Sequence, residues 1–353
     1  MARTLLVDHT HLGRHVTGLE RITLELFAPD SLAPLRLEPV TAGGSTRKMI
    51  LAQTLGLPAR LLADRGAVVL CPGFPPSIPL TLAGGRRVVP YVHDCFLITR
   101  PQDLNWRARV YMAPAFRVAI ARLPWFLVNS RATADELARH AAPGAEITLY
   151  RPVVRDVFAI ADRAASAAAA RAAGDGRRLS LIAVGTVEPR KNLVAAAEVV
   201  RALNEGHGFD ATLDVVGRPG WGGEAERLAG RPGVVLHGYQ PAERVRDLLA
   251  GAHLLISTSH DEGLGLPLVE AQYAGLPVVA PDKPVFREVL GASGLLIDPT
   301  DPAGAAARIA AAVRGPGFFA TAAAGAATNV ARWNAAAEDD RARLVERLAR
   351  MVG

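Results

Sequence analysis

Asp261-Glu262-Gly263-Leu264-Gly265-Leu266-Pro267-Leu268-Val269-Glu270 decides the reading of this chain; it stands between an apolar run, Leu254–Ser257, and a second one, Leu276–Ala280. The first run holds Leu-Leu-Ile and ends in small polar residues, which predicts a buried strand emptying into a glycine loop. A helix is predicted from about Pro267. Gly263 and Gly265 allow backbone close to a ligand, Pro267 is tolerated in a first helical turn, and the N–H groups there can meet an anion or hydroxyls. Glu262 stands on the loop and Glu270 about one turn into the helix. Two carboxylates with N–H groups between them suit a polyhydroxylated ligand that also carries phosphate.

Outward from that stretch, strand and helix alternate. Leu179–Val184, Ala211–Val216, Val234–Leu236, Leu254–Ser257, Leu276–Ala280 and Gly294–Ile297 read as strands with helices between them, which predicts a doubly wound parallel sheet. In the first half, residues 3–8, Ala67–Cys71, Arg87–Val92, Trp125–Val128 and Glu146–Tyr150 read as strands. Helices are predicted from about Thr17 to Phe27, from Trp106 to Leu123 with a bend at Pro114, and after Ser130, a candidate N-cap. Leu35–Pro58 is poorly patterned, with a turn at Ala42-Gly43-Gly44-Ser45 and a short helix after it. The expected organisation is a first domain over 1–158, an Ala-rich linker over 159–178, a second domain over 179–332 and a charged amphipathic helix over 333–353.

At these residues the chain resembles the retaining glycosyltransferases of family 4, which have the GT-B fold. The family's EGFGLPxxE appears here as EGLGLPLVE, matching its two glutamates with Glu262 and Glu270, and Val184-Gly185-Thr186-Val187-Glu188-Pro189-Arg190-Lys191-Asn192 looks like its diphosphate loop. The resemblance covers residues 179–300 well and the first half in patches. It implies two Rossmann-like α/β domains facing each other across a cleft, with the last helix crossing back to the first.

The resemblance also implies roles. Arg190 and Lys191 would neutralise a leaving diphosphate just before a helix start, with Gly185 letting the loop come close; Thr186 stands where many members have an arginine. Glu270 would bind the ribose, Glu262 would lie near sugar and diphosphate, and the backbone of Gly263, Leu264, Gly265 and Leu266 would meet sugar hydroxyls. His237, Gly238 and Tyr239 fall where the family holds the base. On the acceptor side, Thr17-Gly18-Leu19-Glu20-Arg21 resembles the family's TGIGRY, with Glu20 in place of a glycine. His93 and Asp94 are delivered at a predicted strand's carboxyl end, where ligands gather in open parallel sheets. By resemblance His93 lies over the donor sugar; a structural strand-end cap is the alternative, and Asp94 is a candidate base. Ser130 offers a hydroxyl to a ligand or simply caps its helix. His9, His11 and His15 match no standard zinc spacing and read as a polar rim facing the acceptor, or as solvated loop residues.

No D-x-D occurs in the chain, which argues against a metal-dependent transferase, so neither metal nor other cofactor is expected. A length of 353 residues suits two domains, and half the residues are apolar. No apolar run reaches membrane-span length, and Asp8 interrupts the short apolar run at the N-terminus, so the expected location is cytoplasmic. Cys71 and Cys95 read as reduced and structural. Residues 1–160 hold 19 Lys and Arg against 12 Asp and Glu, or +7, while the remainder holds 21 against 22, or −1. A basic first half suits an anionic membrane surface at the inner face or an acidic acceptor, or is a plain solvated face; nucleic acid is not expected, since no basic run is interleaved with aromatics.

The expected activity is transfer of a sugar from a nucleotide-diphosphate donor, GDP-mannose first, to a glycan or lipid-linked acceptor in surface polysaccharide or glycolipid assembly. Two rivals remain: a sugar-nucleotide 2-epimerase, and a non-catalytic sugar-nucleotide-binding protein.

Overall fold

The computed structural model describes residues 5–13, 18–104, 106, 108–172 and 176–352. Strands β1 (Leu5–Asp8), β2 (Leu37–Val40), β3 (Val68–Cys71), β4 (Val88–Val92), β5 (Trp125–Val128) and β6 (Glu146–Leu149) form one parallel sheet, ordered β2-β1-β3-β4-β5-β6. Strands β7 (Arg178–Val184), β8 (Asp210–Val216), β9 (Val234–Gly238), β10 (Leu254–Ile256), β11 (Val278–Pro281) and β12 (Gly294–Ile297) form a second, ordered β12-β11-β10-β7-β8-β9. The central strands are continuous apolar runs because helices cover both faces: every residue of β3, β4, β5 and β10 is buried.

Two compact units result, one of Met1–Val153 with Ala335–Gly353, the other of Val154–Asn334. Each carries its own core. In the first, Leu6, Val69, Val88, Phe116, Phe126 and Leu137 interdigitate; in the second, Leu181, Leu213, Val200, Ile256 and Ile309 do.

The structure departs from the predicted elements in four places. β2 is a strand where no pattern shows one: it is four residues long, Glu38 and Pro39 are exposed, and it lies at the sheet edge, where Pro is allowed. The stretch predicted as one helix bent at Pro114 is a π-helical turn, Ala108–Met112, followed by the regular helix Ala113–Arg122, with Pro114 in the first turn of the latter.

The segment read as a linker is the third. It belongs to the second unit, carrying a 3₁₀ turn at Ala161–Arg163 and a helix at Ala164–Ala172. Asp156 accepts from the N–H groups of Ile160 and Ala161 at 2.9 and 2.8 Å, fixing its start. Arg171, buried, donates to the carbonyls of Ala252 at 2.7 Å and of Ala274, Gly275 and Leu249 at 3.3–3.4 Å. Burial lowers its pKa to about 10, so it stays charged at neutral pH. The last helix, Phe318–Val352, starts well before the predicted Trp333, and the boundary between the units falls within it.

Candidate donor site of the second unit

The site grows from three strand ends of one sheet. After β7 the chain turns at Gly185, whose φ is +143°, and a Cβ there would stand 3.3 Å from Lys191 Cε. The loops after β7 and β8 are zipped by backbone: Gly185 N–H donates to Val216, Val187 N–H to Arg218 and Gly220 N–H to Val187, each at 2.9 Å. A Cβ on Gly217 would lie 1.8 Å from the Gly185 carbonyl oxygen, so the two loops touch backbone to backbone. Pro189–Lys191 forms a 3₁₀ turn, and Asn192, left-handed at φ 50°, starts the helix Leu193–His207.

β10 delivers the opposite wall. Thr258 Oγ1 donates to the Asn192 carbonyl at 2.8 Å, and His260 N–H to that of Arg190 at 2.8 Å, so the loop after β10 holds the loop after β7. Glu262 then meets both cations. Arg190 donates from Nη1 to Glu262 Oε2 at 2.8 Å and to the Asp261 carbonyl at 3.0 Å, and from Nη2 to Glu188 Oε1 at 2.6 Å. Lys191 Nζ and Ser259 Oγ both donate to Glu262 Oε1, at 2.5 and 2.8 Å. Burial pushes the Glu262 carboxyl up, but Lys191, Arg190 and these hydrogen bonds outweigh it and hold the carboxyl at about 2. Two carboxylates therefore face two cations. The cavity beneath, lined by Lys191, Ser257, Ser259, Glu262, Gly265 and Leu268 among others, has a volume of about 30 Å³.

Gly265 is left-handed at φ 78°, and a Cβ would meet Leu268 Cδ1 at 2.5 Å. Leu266 opens a helix of only five residues, which passes into a 3₁₀ turn at Ala271–Ala274. Glu270, one turn into that helix as the sequence reading has it, is its last residue and is buried with Gly263 and Leu264. Thr186 is exposed.

At the next strand ends, His237 Nε2 and Asp214 Oδ1 stand 2.6 Å apart, and Gly238, at φ 66°, accepts from Gly217 N–H at 2.9 Å. Tyr239 is exposed, with the Arg218 guanidinium 4.6 Å from its ring centroid. Glu188, Ser259, Asp214 and Arg218 were not singled out from the sequence. Only the fold shows which strand ends share an edge; Glu188 alone carried a signal, standing inside the quoted diphosphate loop.

The remaining predicted residues belong to the first unit. His93 follows β4 and its Nε2 donates to the Pro72 carbonyl at 2.6 Å. Burial lowers its pKa to about 4 despite that bond, so the ring is neutral at physiological pH. Asp94 accepts from Phe96 N–H at 3.0 Å, at the start of the short helix Phe96–Thr99. Ser130 is wholly buried as the N-cap of helix Arg131–Ala138, accepting from Thr133 N–H at 3.0 Å and donating to Thr133 Oγ1 at 2.9 Å. Gly18 is the first residue of helix Gly18–Leu26, and His15 lies outside the described residues. His9 and His11 are buried rather than solvated: a Cβ on Gly73 would collide with the His11 ring at 2.2 Å, and His11 Nε2 lies 3.3 Å from Thr23 Oγ1. Among the described residues no three His, Cys, Asp or Glu side chains gather as a metal site, and no helix is long and apolar enough to cross a membrane.

Two parallel six-stranded units flanked by helices are the GT-B fold of glycosyltransferases. Anabaena HepE, solved in complex with UDP and glucose, superposes with a TM-score of 0.68 at 18% identity over 98% of this chain and 99% of that one. The family model of glycosyl transferases group 1 matches residues 178–314, within the second unit. Similar proteins include O-antigen chain mannosyltransferase B of Escherichia coli, 33% identical over 33% of this chain and 32% of its own length. D-inositol 3-phosphate glycosyltransferase of Thermobispora bispora is 29% identical over 75% of this chain and 66% of its own length. The chain thus spans about a third of the first relative and about two thirds of the second.

Proposed function

We propose that this protein is a retaining glycosyltransferase that needs no metal and moves a sugar, mannose from GDP-mannose first, onto a hydroxyl of a glycan or lipid-linked acceptor in surface polysaccharide or glycolipid assembly. The observation that carries this is the cluster in which Arg190 and Lys191 converge on the one carboxylate of Glu262. A leaving diphosphate needs cations at the place where its charge develops, and preorganised cations out of bulk water are the efficient way to supply them. The diphosphate meets Arg190 and Lys191 and competes with Glu262 for them. Glu262, displaced, is free to accept from a sugar hydroxyl.

The leaving phosphate oxygen takes the acceptor proton on the same face of the sugar, so no protein nucleophile is required. Neutral His93 suits a role in binding rather than as a charged acid. Mannose is favoured by the relatives: Escherichia coli mannosyltransferases of two kinds match at 33% and 39% identity over about a third of this chain. HepE is solved in complex with UDP and glucose, so a uridine donor is tested beside the guanosine one. Incubation with GDP-mannose and UDP-glucose, each with glycan and lipid-linked acceptors and with chelator, tests the whole proposal. An α-linked product formed in chelator is expected; inverted product, chelator-sensitive transfer, or free sugar without an acceptor would overturn it.

A further inference from the structure

We propose that the carboxyl edge of the first unit's sheet binds an uncharged sugar, with His9, His93 and Asn129 accepting hydrogen bonds from its hydroxyls. The inference rests on the glycan acceptor of the proposed function and deepens it, naming the side chains that read the sugar and the charge they refuse.

Three strands of the sheet end in these residues. β1 runs into His9, β4 into His93 and β5 into Asn129, and β4 and β5 are paired up to Val92 and Val128, so His93 and Asn129 stand at adjacent strand ends. The strand order β2-β1-β3 turns back past β1, and open parallel sheets hold ligands at such a reversal, outside the carboxyl ends of their strands.

At all three positions the fold uses the side chain's hydrogens and leaves its lone pairs. His93 Nε2 donates to the Pro72 carbonyl at 2.6 Å, so the neutral ring has no hydrogen on Nδ1, and no described residue bonds that atom. The His9 ring bonds the Phe27 carbonyl, while its Nε2 is buried without a partner among the described residues. Nδ1 therefore carries the His9 hydrogen, and Nε2 is a bare acceptor. Asn129 Nδ2 donates to the His93 carbonyl at 2.9 Å, and Asn129 Oδ1 is buried with no partner among the described residues. Turning that amide over would set oxygen against oxygen, so its orientation is fixed. Buried acceptors without donors are costly, and their gathering on one edge of one sheet calls for donors from outside the chain.

Charge narrows the class. Burial lowers the pKa of both rings, that of His93 to about 4, so both are neutral at physiological pH. A phosphate or carboxylate would bring lone pairs to lone pairs. An ammonium would find no charge on these three side chains to offset its desolvation. The hydroxyls of a neutral sugar bring hydrogens at no such cost.

Long-range proton–nitrogen NMR of the histidine rings in the full chain reads the tautomers directly. His93 should carry its hydrogen on Nε2 and His9 on Nδ1. Among methyl glycosides of mannose, glucose and galactose, titrated without nucleotide, one should shift both bare nitrogens saturably, and inorganic phosphate should shift neither. His93→Gln keeps a donor for Pro72 and His9→Asn keeps one for Phe27, yet each removes the bare nitrogen. Each should weaken the glycoside about tenfold, the effect of one lost hydrogen bond, at an unchanged unfolding midpoint. Opposite tautomers, saturable phosphate binding, or variants that bind the glycoside as the unmodified chain does would overturn the proposal. So would bare nitrogens that no glycoside moves, which would leave these atoms to bound water. Neither donor nor transfer enters the test, so this inference and the proposed function fail separately.

Discussion

Glu262 does two opposed things at once. Its carboxylate neutralises Arg190 and Lys191 where a diphosphate is proposed to bind, and it closes the loop after β10 onto the loop after β7. The folded carboxyl sits at about 2 against an unperturbed 4.5, so on acidification the unfolded chain takes up its proton first. The stability from this group is complete above about 4.5 and is lost as pH falls towards 2. Urea midpoints should therefore drop across that window more steeply for the unmodified chain than for Glu262→Gln; parallel curves would show that the cluster does not stabilise the fold. Arg171 is a second residue with a large stake, since its removal strands four carbonyls. Arg171→Met should cost about 2–4 kcal/mol, read as a lower thermal midpoint. The glutamates and the two cations were legible because they lie in two short runs of sequence. Arg171 was not: in an Ala-rich segment it carries no periodic signal, and its partners lie about 80 to 100 residues away.

At the scale of elements, the site depends on strand ends being brought within backbone contact. Gly217→Ala would put a methyl carbon into the Gly185 carbonyl and should cost upwards of about 3 kcal/mol, weakening donor binding with it. Gly230→Ala is the control, because the residue is left-handed at φ 72° with open space around it and should cost only about 1 kcal/mol. Equal losses, measured by denaturant unfolding, would mean that the contact between the loops is not tight. Among the described residues eleven of the twelve strands were readable, the central ones because buried parallel strands are apolar throughout. The exception, β2, has its two middle residues exposed and a proline among them, so neither alternation nor a hydrophobic run marks it. The Glu262 loop was legible for the same reason that it works: glycines at fixed positions record where the backbone must turn.

At the scale of the whole molecule, the chain leaves the first unit after Val153 and re-enters it at Ala335. The returning stretch is fastened by Asp340, wholly buried, which accepts from Arg151 Nη1 at 2.9 Å, with Leu344 and Leu348 buried alongside. Asp340→Ala removes the carboxylate paired with the buried Arg151 guanidinium and should cost the first unit about 3–5 kcal/mol. Calorimetry should show one transition lowered while the nucleotide response of the other persists; two unchanged transitions would show that the returning helix is dispensable. The charge asymmetry was visible by counting.

The most direct test of the donor site is thermal unfolding with GDP, UDP, ADP and TDP, unmodified chain beside Lys191→Ala. A nucleotide at about 100 times its dissociation constant adds roughly 2.7 kcal/mol, a shift of several degrees for units of this size. One nucleoside diphosphate, GDP first, should raise the midpoint of the unmodified chain and leave that of Lys191→Ala nearly unmoved. Equal shifts in both proteins would remove the diphosphate from Arg190 and Lys191, and no shift with any of the four would contradict a donor site here.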